Sequence, residues 1–325
     1  MLGIGAVFGW CALAAAAPLD SGLPAYRPQN ALHGVLHSVG ADSMDVVTVG
    51  WLEIFRREHP KVVASMEARA TGTAIPALVS GWGQLGPLKR EILPHEEELF
   101  VGKFGYEPTA IRVATASYDS TRTSETMAIF VNADNPLTGL SLDQIREIYA
   151  RGGKITTWGQ LGLTGDWADR PIALWGLKRP AGVANYIQKR CLGGRDFRDG
   201  INERFNQDGL LALDAITTGV AGDRYSLGYS GLSAARSGAK RLALSEHAGS
   251  PGIEPTLPNV IGHLYPLSRF VYIYINRPPG QPIDPNVKEY LRLILSRDGQ
   301  EVVARQGLYL PLTAKIAAEE LAKLN

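Results

Sequence analysis

Cysteine is nearly absent: the chain has two, Cys11 and Cys191. That excludes a disulfide framework and a thiolate zinc site, which needs several closely spaced ligands. Neither sign of charge is in excess, since 33 Lys and Arg face 32 Asp and Glu for a formal net charge of +1. An extended nucleic-acid surface needs a basic surplus to release counterions, so it too is excluded, whereas a small charged pocket is not. The longest uncharged apolar stretch, Met1–Ala17, falls short of the roughly 20 residues that span a bilayer. No internal repeat is present, and no low-complexity tract beyond Ala14–Ala17. Catalytic signatures are missing as well. His33 and His37 stand four apart but lack the Glu of a metalloprotease helix, and Gly228-Tyr229-Ser230-Gly231 is not a nucleophile elbow. Gly3-Ile4-Gly5 misses a nucleotide fingerprint, and Asp42 with Asp45 is one acidic pair. No catalytic residue, metal site or cofactor is expected.

What is there is globular. Hydrophobic residues make up 45% and charged residues 20% of 325, enough for a real core in one large domain or two ordinary ones. Met1–Ala17 reads as a signal peptide, with small residues for cleavage at Ala16/Ala17 but no Lys or Arg ahead of the apolar run. Lipidation at Cys11, against which Trp10 is a poor neighbour, and a disordered apolar N-terminus are the alternatives. The mature chain is then periplasmic or secreted, with Cys191 its lone thiol. Residues 18–30 form a Pro-rich linker.

Apolar periodicity then alternates. Leu32–Val39, Val62–Ala68, Ile111–Tyr118, Met127–Asn132, Pro171–Leu177, Tyr225–Ser230 and Phe270–Asn276 read as strands. Helices are expected over Val46–Glu58, Thr73–Ser80, Ser141–Tyr149, Ala181–Cys191, Pro285–Arg297, Gln300–Arg305 and Ala314–Leu324. Such alternation predicts an α/β protein with mostly parallel sheets, whose ligands bind past the carboxyl ends of strands, at helix starts. Three turns meet that description: Ala41-Asp42-Ser43, Thr71-Gly72-Thr73, and Arg179 through Ala181-Gly182 to Val183. Their small residues let backbone N–H groups approach a ligand, although Ser, Thr and Gly also serve as ordinary caps. Lys89-Arg90 and Lys178-Arg179 could add charge for an oxyanion or be solvated surface pairs.

Four stretches resemble one family. Tyr265–Asn276 (YPLSRFVYIYIN), Val287–Pro311 (VKEYLRLILSRDGQEVVARQGLYLP), Ser141–Trp158 (SLDQIREIYARGGKITTW) and Met127–Pro136 (MAIFVNADNP) are similar to segments of the phosphate-binding proteins of ABC transporters. These are type 2 periplasmic binding proteins, and the resemblance spans roughly residues 32–314. It implies a two-lobed α/β fold closing on a small inorganic anion, phosphate first, delivered as a monomer to an ABC transporter permease. Lobe 1 would be residues 31–126 plus 276–325, lobe 2 residues 133–269, and the hinge strands 127–132 and 270–275. The implied ligand set is Ala41, Asp42, Ser43, Thr71, Gly72, Thr73, Lys89, Arg90, Arg179, Ala181 and Gly182. The family places an acid or hydroxyl where Lys89 stands, and an acid with two hydroxyls in the loop that here runs from Arg179 to Val183. Lys89 and Arg179 would therefore add positive charge to the cleft, balanced by an internal acid such as Asp42. A degenerate paralogue binding another anion or a partner protein is the alternative reading, and a hydrolase the third.

Overall fold

A parallel pair opens the fold. β1 (Gly34–Ala41) lies beside β2 (Val62–Arg69), with Gly34 level with Val62 and Ala41 with Arg69. The crossover between them is α1 (Asp45–Glu58), which turns Val47, Trp51, Leu52 and Phe55 onto the sheet. Its Trp51 indole N–H donates to Gly299 O at 2.8 Å. The computed structural model describes residues 17–118, 120, 124–179, 181–205 and 211–325. Cys11 and all of the expected signal peptide except Ala17 lie outside the described residues.

After α2 (Ala74–Ser80) the chain returns on the other side of β1 as β3 (Gly86–Leu88). Val39 N–H donates to Leu85 O at 3.0 Å and Gln84 N–H to His37 O at 2.9 Å. The two backbones run close: a Cβ on Gly40 would sit 2.4 Å from Pro87 O, so only glycine fits there. α3 (Pro94–Phe104) leads to β4 (Thr109–Thr115).

The second sheet begins with β5 (Met127–Asn132), all six residues buried. β6 (Gly139–Ser141), α4 (Leu142–Tyr149), β7 (Ala173–Leu177), α5 (Gly182–Leu192), β8 (Asn202–Arg204), α6 (Ala212–Gly222) and β9 (Ser226–Gly231) follow. β10 (Ala239–Arg241), β11 (Ala243–Ser245) and α7 (Leu257–Ile261) complete this half. The strand order is β10-β5-β9-β7-β8, with β6 and β11 as a separate parallel pair. β12 (Phe270–Ile275) then returns to the first sheet between β3 and β4, giving the order β2-β1-β3-β12-β4 once the β1–β3 bonds are included. α8 (Pro285–Ile294), α9 (Arg297–Gln306) and α10 (Ala314–Ala322) pack back on that sheet. The chain breaks between α8 and α9 because Ser296 Oγ accepts from Gly299 N–H and starts a new helix.

Both sheets are mixed. Their βαβ strands are parallel as expected, but β12 runs antiparallel to β3 and β4, and β5 antiparallel to β9 and β10. Each of these strands enters its sheet from the other half of the molecule, so it runs against the strands wound within that half. The two halves have separate cores. One gathers Leu36, Trp51, Phe55, Ile111, Ile273 and Leu291, the other Ile129, Phe130, Tyr149, Trp158, Ile187 and Tyr229. Between the sheets the described residues are 116–118, 120 and 124–126 on the outward pass and 265–269 on the return. There the two strands of chain touch, with Ala116 N–H on Arg269 O (2.9 Å) and Met127 N–H on Leu267 O (3.3 Å). Cys191 is a buried free thiol within the second core, its pKa raised to about 12 by burial. Among the described residues no helix is long and apolar enough to cross a membrane.

His263, in the turn after α7, binds the halves on the far side of this crossing. Its backbone takes the left-handed conformation at φ 51°, uncommon for a side-chain-bearing residue. Its ring stacks on Phe270 with centroids 3.6 Å apart, and Nε2 bonds Thr115 Oγ1 at 2.8 Å. Burial, then the Arg112 cation, holds its pKa down to about 3. The unfolded chain therefore takes up this proton first. Stability from neutral His263 is complete above the ordinary histidine pKa of about 6.5 and is lost as pH falls from there toward 3. At about pH 5 the loss should reach about 2 kcal/mol relative to neutral pH. Urea unfolding of the wild type and of His263→Phe at both pH values should show this extra acid sensitivity in the wild type only.

Candidate functional site

The strand orders place two ends opposite one another. In the first sheet the chain leaves β1 for β2 on one side and returns as β3 on the other, so β1 and β3 flank a topological switch point, where open α/β sheets bind ligands. Ser38 is level with Leu85 in this parallel pairing. Counting on within the two strands, Ala41 is level with Leu88 at their ends. Ala41 is also level with Arg69 at the end of β2, which brings the Thr71–Thr73 turn alongside. Asp42–Met44 and Thr71–Thr73 are each one tight turn opening α1 and α2. The two hydroxyl-bearing turns are thus neighbours.

Their hydroxyls differ. Thr73 Oγ1 donates to Ala70 O at 2.8 Å, closing its own turn. Ser43 Oγ is buried and has no hydrogen-bond partner among the described residues, while Ser43 N–H donates to the exposed Asp42 carboxylate at 2.8 Å. Leaving a buried hydroxyl unmatched costs about 1–3 kcal/mol, which a ligand atom at this strand end would remove.

Each arginine is paired with a carboxylate. Arg90 grips both oxygens of Glu96 at 2.7 Å each, and Glu96 also accepts Leu93 N–H at 2.9 Å. Burial alone would raise the Glu96 pKa, but the Arg90 hydrogen bonds and the Leu93 N–H outweigh it and hold the carboxyl low. Arg179 Nε donates to Glu203 on β8 at 2.7 Å, and its guanidinium lies 5.2 Å from the Phe197 ring centre. The acids that meet the two arginines are Glu96 and Glu203. The reason is local: each arginine has a carboxylate on a neighbouring element of its own half, so its charge is met there. Lys178 is exposed, its Nζ 5.1 Å from the Phe205 ring centre. Lys89, half-buried, has no hydrogen bond, ion pair or ring contact among the described residues.

In the second sheet the order β8-β7-β9 makes a matching switch point, past which Ala181 and Gly182 open α5. The Ala181 N-cap carries no side-chain hydroxyl to cap the helix. A Cβ on Gly182 would lie 3.2 Å from Arg90 Cδ, and one on Gly72 would lie 4.0 Å from Glu96 Oε1. The Arg90–Glu96 pair therefore stands where both switch points meet. Below it, Lys189 Nζ of α5 approaches Glu97 of α3 at 3.8 Å. Arg269 pairs with Glu91 at 2.7 Å and lies 4.5 Å from the Tyr186 ring centre. A cavity of about 580 Å³ opens between α3 and α5, lined by Pro94, His95, Ala181, Asn185 and Gln188 among others. At the end of β9, Glu125 accepts Ser233 N–H at 3.0 Å, its pKa raised by burial. Among the described residues no cluster of His, Cys, Asp and Glu could hold a metal ion.

Glu96 was not legible as a site residue. Its one sequence signal is the spacing of a helix start, with Glu three residues after Leu93. Arg269 and Tyr186 sit in stretches that read as ordinary strand and helix.

The comparisons fit this geometry. A family model described as a PBP superfamily domain matches residues 27–298. The chain belongs to the PBP superfamily. The phosphate-binding protein PstS of Pseudomonas aeruginosa is 36% identical over 97% of this chain and 94% of its own length. PstS of Bacillus subtilis is 25% identical over 86% of this chain and 81% of its own. Two solved structures share the fold. An ABC-type phosphate transport receptor from Vibrio cholerae has a TM-score of 0.54 and 18% identity, covering 85% of this chain and 99% of its own. PstS from Borrelia burgdorferi has a TM-score of 0.57 and 16% identity, covering 86% and 100%.

Removing either partner of the Arg90–Glu96 pair should be costly, because each leaves the other charge behind in side chains 15% and 4% exposed. Glu96→Ala strands the Arg90 guanidinium and leaves Leu93 N–H without its acceptor, and Arg90→Met strands the deeper Glu96 carboxylate, each a loss of about 3–5 kcal/mol. Urea midpoints with unchanged slopes would report both, and a Glu96→Ala protein within about 0.5 kcal/mol of wild type would show the pair to be a surface interaction.

Proposed function

We propose that the chain is an exported, non-enzymatic solute-binding protein that holds a small oxyanion, phosphate in the first instance, between its lobes for ABC-type uptake. The observation that carries this is the facing pair of strand-end switch points, with the unpartnered Ser43 hydroxyl at one and the α5 start at the other. The full-length likeness to a phosphate-binding protein supports it. The expected lobes are residues 31–126 with 276–325 and 133–269, with 127–132 and 270–275 as hinge strands; we place the swing in the adjacent passages around 116–118, 124–126 and 265–269, since β5 and β12 each lie inside one sheet. Ala41, Asp42, Ser43, Thr71, Gly72 and Thr73 offer backbone N–H groups and hydroxyls from the first lobe, Ala181 and Gly182 from the second. The protein acts as a monomer that delivers its ligand to a membrane permease, and Met1–Ala17 directs its export.

A second reading is favoured by one observation. Ala181 and Val183 offer no hydroxyl at the α5 start, and the cavity beside it, about 580 Å³, falls in the size range of small organic ligands. A paralogue turned to another ligand would look like this.

Thermal unfolding of the purified mature chain with phosphate, sulfate and small organic anions separates these readings. A ligand at 100 times its Kd should add about 2.7 kcal/mol of apparent stability. A shift with inorganic oxyanions supports the first reading, and a shift with organic anions alone supports the second. No shift with any anion at millimolar concentration would overturn both.

A further inference from the structure

Arg269 stands in the returning segment 265–269, which belongs to neither sheet. It is 3% exposed. Its guanidinium reaches Glu91 of the first half at 2.7 Å and lies 4.5 Å from the ring centre of Tyr186, on α5 of the second half. Its Nε is buried with no hydrogen-bond partner among the described residues, and so is the neighbouring Ser268 hydroxyl. A cavity of about 380 Å³ flanks these side chains, and none of the residues proposed to hold the ligand lines it. We propose that Arg269 is a positioning residue, a clasp shared by the two lobes that favours their closed arrangement and so raises ligand affinity from outside the ligand site.

The inference rests on the proposed function and deepens it. One cation serves both halves of the molecule: Glu91 moves with the first, Tyr186 with the second. The segment itself is tied to both. Ala116 N–H, next to the end of β4, donates to Arg269 O at 2.9 Å. From α5, the Tyr186 hydroxyl donates to Ser268 O at 3.2 Å and Arg190 to Pro266 O at 3.0 Å. If the segment follows the first half on opening, the cation leaves the Tyr186 ring. If it follows the second, the cation leaves Glu91. Either way a buried guanidinium that already has one unmatched N–H gives up a partner, and buried charge is costly unless paired. Opening therefore works against Arg269 whichever way the segment moves. A ligand between the lobes feels this indirectly, because apparent affinity scales with the population of the competent arrangement. A cation on a desolvated aromatic face is the strong form of that contact, and its loss should weaken binding by about two- to thirtyfold.

Tyr186→Leu removes the ring face, whereas Tyr186→Phe keeps it and loses the hydroxyl. Solution X-ray scattering of the ligand-free mature chain should show Tyr186→Leu more extended than the wild type and Tyr186→Phe close to it. With inorganic phosphate, Tyr186→Leu should release the anion about two- to thirtyfold faster at an unchanged association rate. Tyr186→Phe should keep most of the wild-type affinity. Glu91→Gln keeps a hydrogen bond to Arg269 but removes the balancing charge, so it should also extend the free protein. It carries the test if melting curves show that Tyr186→Leu does not fold. A role for Tyr186 in packing alone would lower the melting temperature and leave radius and release rate unmoved. That result, or a Tyr186→Phe protein that behaves like Tyr186→Leu, overturns the inference and leaves the proposed function standing. No binding of phosphate to the wild type would overturn the phosphate reading, while the scattering comparison still decides the clasp.

Discussion

The Arg90 guanidinium, held on both oxygens of Glu96, fixes the meeting place of the two lobes. Taking such a pair out of water is expensive, and the attraction between the charges offsets that only where the geometry is good and the remaining polar atoms are matched. Here the geometry is bidentate at 2.7 Å, and Glu96 gains a third donor in Leu93 N–H while Arg90 gains Glu91 O at 3.0 Å. The pair therefore ties the segment after β3 to the first turn of α3. The Arg90 alkyl arm, held in place this way, is the surface that the glycine at the start of α5 rests against. A side chain at position 182 would press on that arm, so the absence of one lets α5 come close.

From there, contact between the lobes runs down α5. Its Tyr186 hydroxyl donates to Ser268 O at 3.2 Å, Arg190 donates to Pro266 O at 3.0 Å, and Lys189 approaches Glu97. These reach the returning crossing segment, whose Arg269 is itself buried between Glu91 and Tyr186. On the far side, His263 stacks on Phe270, whose ring lies 4.7 Å from the Arg112 guanidinium. Arg112 is in turn anchored on Glu319 and the fully buried Glu320 of α10. Two polar lines thus flank the pair of crossing segments. Rotation about the crossings would stretch both, and stacked rings and ion pairs tolerate little change in geometry before they separate.

The strands that carry the fold were legible because they are apolar and β-branched: β1, β2, β5 and β12 all follow from such runs. β3 was not. It is three residues long, Gly86-Pro87-Leu88, and two of them ordinarily mark turns; it is a strand because it is sandwiched between β1 and β12. α3 was missed for a similar reason: only Glu96 and Phe100 of its residues are buried, so it has almost no apolar stripe to read. In the site, the turns at Ser43 and Thr71–Thr73 were found because their position after strands is a matter of chain order. The state of the arginines was not, since it depends on acids six and twenty-four residues away, Glu96 and Glu203. A basic residue beside a ligand loop is visible in sequence, whereas whether its charge is already met is a property of the packed fold.

That distinction decides the electrostatics of the cleft. Counted as sequence, the strand ends carry four cations and a strong pull on anions. Counted as structure, Arg90–Glu96 and Arg179–Glu203 are each neutral, and Lys178 is exposed beside the Phe205 ring. A neutral ion pair presents a dipole, whose field falls off faster than that of a charge, so the arginines contribute shape and rigidity more than attraction. Two of the four basic side chains near the strand ends are thus neutralised within the fold, so the free charge there is half what a count of basic residues implies.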